Sequence, residues 1–174
     1  LTSCATLSAR GSSKVELRQA ATASRNALEW KWSDGTSTPE ALFGTPESTT
    51  RYELCVYTTD GQTPALTTAA LIVPPGRACH GRSCWTRSPG RITYSDPDRI
   101  ITGVRTVSLK RRSNRTGIKL TARGGTLPLP ILPVHDDSEV ILQLRNTVGG
   151  CWEARYDASR RNDAAAFVAS SVGE

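Results

Sequence analysis

Residues 139–156, EVILQLRNTVGGCWEARY, constrain the fold of this chain most. Val140, Leu142 and Leu144 alternate with Ile141, Gln143 and Arg145, a period of two with one wholly apolar face. Gly149-Gly150 can take positive φ at little cost and so punctuates the run. Cys151-Trp152-Glu153-Ala154-Arg155-Tyr156 then resumes β-favouring residues. The stretch reads as two strands and a turn, and the upstream chain looks built to pack on this hairpin.

The same alternation recurs upstream. In KVELR, residues 14–18, Val15 and Leu17 share a face; in ALEWKW, residues 27–32, Leu28, Trp30 and Trp32 do. RYELCVYTT (51–59), residues 66–73 and RITYS (91–95) read as further strands. Residues 103–111 and 117–123 form an expected hairpin with a basic, polar tip. Residues 33–50 read as a long loop anchored by Phe43. LPLPILP, residues 127–133, cannot be a central strand, because each proline lacks a backbone donor. About ten short strands separated by turn signals predict an all-β chain, an antiparallel β-sandwich. The domain is expected over residues 14–157, with an N-terminal extension at 1–13 and a C-terminal tail at 158–174. The run Ala164-Ala165-Ala166-Phe167-Val168-Ala169 favours a short C-terminal helix, capped by Asn162 or Asp163.

A chain of 174 residues suits one domain. It carries 22 basic and 16 acidic residues, a net charge of +6, and only four of the basic residues are lysines: Lys14, Lys31, Lys110 and Lys119. Such a charge favours anionic surfaces. The absence of methionine suggests a processed chain or numbering that starts inside a longer precursor. No apolar run approaches the ~20 residues a membrane-spanning helix needs, so no transmembrane segment is expected. Five cysteines in and around predicted strands point to an oxidising, extracellular or cell-surface location, with any signal peptide already removed.

In order along the chain, Leu28-Glu29-Trp30-Lys31-Trp32, Phe43-Gly44-Thr45-Pro46, Tyr52-Glu53-Leu54-Cys55-Val56-Tyr57, Cys79…Cys84-Trp85, Leu127-Pro128-Leu129-Pro130 and Gly150-Cys151-Trp152-Glu153 resemble an uncharacterised secreted and cell-surface domain family of myxobacteria and related bacteria. The resemblance runs from about residue 15 to residue 156 and implies no activity. It implies four framework cysteines, Cys55, Cys79, Cys84 and Cys151. The preferred pairing is Cys79–Cys84 with Cys55–Cys151, other pairings staying open. Cys4 is then left free or intermolecular.

Candidate sites are few. Cys79-His80…Cys84 could be half of a zinc site, but a short-loop disulfide fits an oxidising compartment better. His135-Asp136-Asp137-Ser138-Glu139 offers weak metal candidates in Asp136, Asp137 and Glu139, against the plainer reading of a solvated loop. No catalytic motif occurs, and no enzyme activity and no cofactor are expected. Lys110, Arg111, Arg112 and Arg115 cluster at a hairpin tip as a candidate anion site. The tip presents neither aromatics nor a helix, so nucleic acid is not an expected partner.

These features lead to two expectations. One is a non-catalytic structural or adhesive surface protein, a homo-oligomeric filament or coat subunit joined through its termini and Cys4. The other is a carbohydrate-binding module for an anionic or neutral polysaccharide, using whichever of Trp30, Trp32, Trp85 and Trp152 are exposed.

Overall fold

The computed structural model describes residues 4–34, 37–59, 66–134 and 139–173, with the backbone alone for 66–69. Fourteen strands account for most of it. They are β1 (Ser12–Arg18), β2 (Ala27–Asp34), β3 (Tyr52–Thr58), β4 (Leu66–Val73), β5 (Ala78–Cys79), β6 (Arg82–Ser83) and β7 (Trp85–Ser88), then β8 (Arg91–Ser95), β9 (Val104–Arg112), β10 (Arg115–Arg123), β11 (Val140–Asn146), β12 (Cys151–Tyr156), β13 (Ser159–Asp163) and β14 (Ala166–Val172). Eight form one sheet in the order β13-β14-β1-β2-β10-β9-β8-β7, four form a second, β12-β11-β3-β4, and β5-β6 is a small ribbon. The chain is an antiparallel β-sandwich.

Alternation in the sequence becomes the core. Val15, Leu17, Leu28, Trp30 and Trp32 from the large sheet meet Leu54, Val56, Leu142, Leu144, Trp152 and Tyr156 from the small one. All four tryptophans are buried, and each ring N–H finds an acceptor. Trp30 Nε1 donates to Tyr156 Oη at 3.0 Å and Trp32 Nε1 to the Glu153 carbonyl at 2.9 Å, so two of these bonds tie one sheet to the other. Trp85 Nε1 donates to the Pro74 carbonyl at 2.8 Å and Trp152 Nε1 to Thr38 Oγ1 at 3.0 Å. Burial pushes the Tyr156 hydroxyl up to about 12. Phe43 anchors its loop as expected, stacking on Trp152 at 5.5 Å. Residues 127–133 join no strand; Leu127 and Leu132 press inward while Ile131 stays exposed.

The C-terminal segment departs from expectation. Residues 164–169 are not a helix but a turn followed by β14. Asp163 does act as a cap, yet of a hairpin: Oδ1 accepts from the backbone N–H of Ala165 at 2.8 Å and of Ala166 at 2.9 Å. β14 pairs along the whole of β1, Ser12 with Val172 through Arg18 with Ala166. Pairing satisfies the edge of β1 that β2 does not reach, and it buries Phe167 and Ala169 in the core. Tertiary pairing therefore overrides alanine's helix preference. The tail expected at 158–174 supplies β13 and β14 to the large sheet.

The N-terminal segment is engaged too. Ala5 bridges Trp152 beside β12, and the Gly173 N–H donates to the Gly11 carbonyl at 3.0 Å. Cys4 bonds to Cys151, not to Cys55 or to a neighbouring chain, and Cys79 bonds to Cys84 as expected. Register explains the difference. Cys55 lies opposite Gln143, which lies opposite Glu153, so β11 stands between Cys55 and β12. Two strand spacings are ~9.6 Å, beyond the reach of a disulfide. Cys55 stays a buried thiol, and desolvation raises its pKa.

Candidate functional site

Outward-facing residues of the large sheet fall into rows set by strand register. One row reads Ser170, Lys14, Lys31, Lys119, Ser108, Thr93 across β14, β1, β2, β10, β9 and β8. The next reads Val172, Ser12, Ser33, Gly117, Lys110, Arg91 across the same strands. All four lysines of the chain thus share one face, with Arg91 beside them. They border a depression of about 610 Å³ that is also lined by serines, Gly117, Trp32, Ile118 and Val172.

Each lysine stands there because it takes the polar parity of an alternating strand. The neighbours of Lys14, Lys31 and Lys119 in sequence are the core residues Val15, Trp30, Trp32, Ile118 and Leu120. Burying those side chains turns the lysines outward.

The arrangement is electrostatically unfavourable to the fold. Lys14 faces Lys31, Lys31 faces Lys119, and Lys110 faces Arg91 directly across strands. Like charges in such positions destabilise a sheet. Glu29 offsets part of this, reaching Lys31 at 2.9 Å and Lys119 at 3.4 Å. The hydrogen bond from Lys31, with the charge of Lys119, holds the Glu29 carboxyl below its ordinary range despite partial burial. Lys14, Lys110 and Arg91 make no ion pair among the described residues. The Ser108 hydroxyl, which lines the depression, is shielded from water and makes no hydrogen bond among the described residues.

The hairpin-tip cluster expected from sequence is divided by the strand alternation. Lys110 joins the lysine face. Arg111 turns the other way, toward Glu40 at 3.5 Å. Arg112 and Arg115 face each other beside the turn of the hairpin, both exposed. Of the weak metal candidates, Asp136 and Asp137, like His135, lie outside the described residues, and Glu139 is bound to Arg155 at 3.1 Å. Among the described residues no three His, Cys, Asp or Glu side chains gather as a metal site. His80 sits in the disulfide loop, 2.8 Å from Asp98. Trp30, Trp32, Trp85 and Trp152, the candidate sugar platform, are all in the core, as are every tyrosine and phenylalanine.

Among the described residues no helix is long and apolar enough to cross a membrane. The two disulfides fit an oxidising environment. No family model, curated protein or solved structure matches this chain.

Proposed function

We propose that this chain is a non-catalytic, extracellular or cell-surface adhesive domain that grips an anionic polymer on the outer face of its large sheet. The observation that carries this reading is the meeting of all four lysines and Arg91 on one face, three of these cations without an ion pair among the described residues. A sheet that sets like charges opposite one another loses stability, and an anionic ligand recovers it. Assembly through the termini has lost its motive, because Cys4, the N-terminal segment and β14 are all engaged within their own chain. Carbohydrate binding by tryptophan stacking has lost its residues to the core.

The test is binding to immobilised polygalacturonate, heparin and a neutral glucan across a salt series. Both anionic polymers should bind and the neutral one should not, with affinity falling as salt rises. Replacing Lys14, Lys31, Lys110 and Lys119 together by glutamine should weaken binding at least about 100-fold, at about 1 kcal/mol per cation. Equal binding by the quadruple variant would refute the reading.

A further inference from the structure

Resting on the reading of the lysine face, we infer that its ligand is a linear acidic polysaccharide lying across the strands, with its chain seated on Gly117. The face carries one cation on each of five consecutive strands: Lys14 on β1, Lys31 on β2, Lys119 on β10, Lys110 on β9 and Arg91 on β8. Neighbouring strands are ~4.8 Å apart, so the band repeats a positive charge at that interval over ~19 Å. Between Lys119 and Lys110 it steps by one row, ~7 Å along the strand. A polymer with one carboxylate per sugar ring matches a band that offers one cation per strand.

The second residue on each strand supports a sugar over other polyanions. Beside Lys14 stands Ser12, beside Lys31 Ser33 and beside Arg91 Thr93, each two residues away on the same face, while Ser108 beside Lys110 keeps its hydroxyl shielded beneath the surface. Charge and hydroxyl therefore alternate over the surface, as carboxylate and hydroxyl do along an acidic glycan. Nucleic acid fits less well. Base stacking needs exposed aromatic rings, and every tryptophan, tyrosine and phenylalanine ring is buried. A duplex carries one phosphate per about 3.4 Å of helix axis on each strand, out of step with the cations.

Gly117 is the exception in the series, and it is the independent observation. It sits inside β10, paired with Ser33 on one side and Lys110 on the other. Glycine weakens a strand interior, and it often marks a place where another chain approaches closely. Nothing in the fold requires it here: its φ lies outside the positive range, and a Cβ would meet no atom within 4 Å. What the missing side chain does is keep the middle of the groove open to the sheet backbone.

Two measurements test this. The first is Gly117→Val. Its melting temperature should be equal or higher, since a β-branched residue suits a central strand, while affinity for polygalacturonate falls at least tenfold. The second is a length series of galacturonate oligomers on the wild-type protein. Affinity should climb to about five sugars, one per strand, and then level off. Wild-type affinity in Gly117→Val, no dependence on length, or equally tight binding of single-stranded DNA of the same charge would each overturn the inference while leaving polyanion binding intact. Failure of the wild-type protein to bind any polyanion would overturn the underlying reading instead.

Discussion

On the outer face of the four-stranded sheet Arg145 and Arg155 are paired with carboxylates, whereas on the outer face of the eight-stranded sheet Lys14, Lys110 and Arg91 make no ion pair among the described residues. Glu53 accepts from Arg145 Nε at 3.1 Å across β3 and β11. Gln143 Nε2 donates to Glu153 at 2.5 Å, and Arg155 donates to Glu153 at 2.7 Å and to Glu139 at 3.1 Å. Cys55, Gln143, Glu153 and Ile141 are buried there, beneath a face that the Cys4–Cys151 bond also fastens. The large sheet shows the reverse: exposed lysines opposite lysines, small residues between them and a glycine at the centre. Strand alternation generates both faces, so alternation does not distinguish them. The difference lies in where the charges find partners. One face spends its polar groups on the fold, and the other keeps them for something outside it.

The largest test of that contrast is the disulfide. Replacing Cys4 and Cys151 together by alanine opens a link between residues 147 apart in sequence and should cost about 4 kcal/mol in chemical denaturation. Binding of the folded variant to polygalacturonate should be unchanged, because neither cysteine lies on the lysine face. A parallel loss of affinity would show that the two faces are coupled, and the contrast would then fail.

A smaller effect is expected at Glu153. Removing its carboxylate in Glu153→Ala leaves the buried Gln143 amide without this acceptor and Arg155 with only Glu139, a loss of about 2 kcal/mol. Affinity for the polymer should again stay at the wild-type level. A stability change within a few tenths of a kcal/mol would mean that water replaces the carboxylate there and that the face is less closed than its geometry indicates.

Much of the fold was legible because burial follows the period of two. Val140, Leu142 and Leu144 could be assigned to the core from spacing alone, and so could Leu28, Trp30 and Trp32. The alanine run at residues 164–169 misled because local preference carries no information about the edge of β1, a partner far away in sequence. The pairing of Cys151 was hidden for a related reason: only the register of β3, β11 and β12 shows that Cys55 is a strand too far. The lysine face was half visible. Lysine is scarce in this chain, and Lys14, Lys31 and Lys119 each take the polar parity of an alternating run. Parity alone is enough to turn them outward. Their assembly into one band needed the order β1-β2-β10-β9-β8, which no local pattern carries.

The smallest effect is the most discriminating, because its two readouts move in opposite directions. Lys14 faces Lys31 across one strand pair and Ser170 across the other, and it makes no ion pair among the described residues. Lys14→Thr removes a like-charge opposition and places a β-favouring residue on the strand, so stability should rise by about 0.3–0.5 kcal/mol. Polymer affinity should fall about fivefold, the loss of about 1 kcal/mol for one cation. Lys31→Thr is the control: it also relieves like-charge contacts, but it gives up the 2.9 Å bond to Glu29, so its gain in stability should be smaller. If Lys14→Thr instead lowers stability, the aliphatic stem of Lys14 is packing on the sheet and the residue belongs to the fold. The large sheet would then resemble the small one, and the case for a ligand on its outer face would weaken at the position where it is simplest to read.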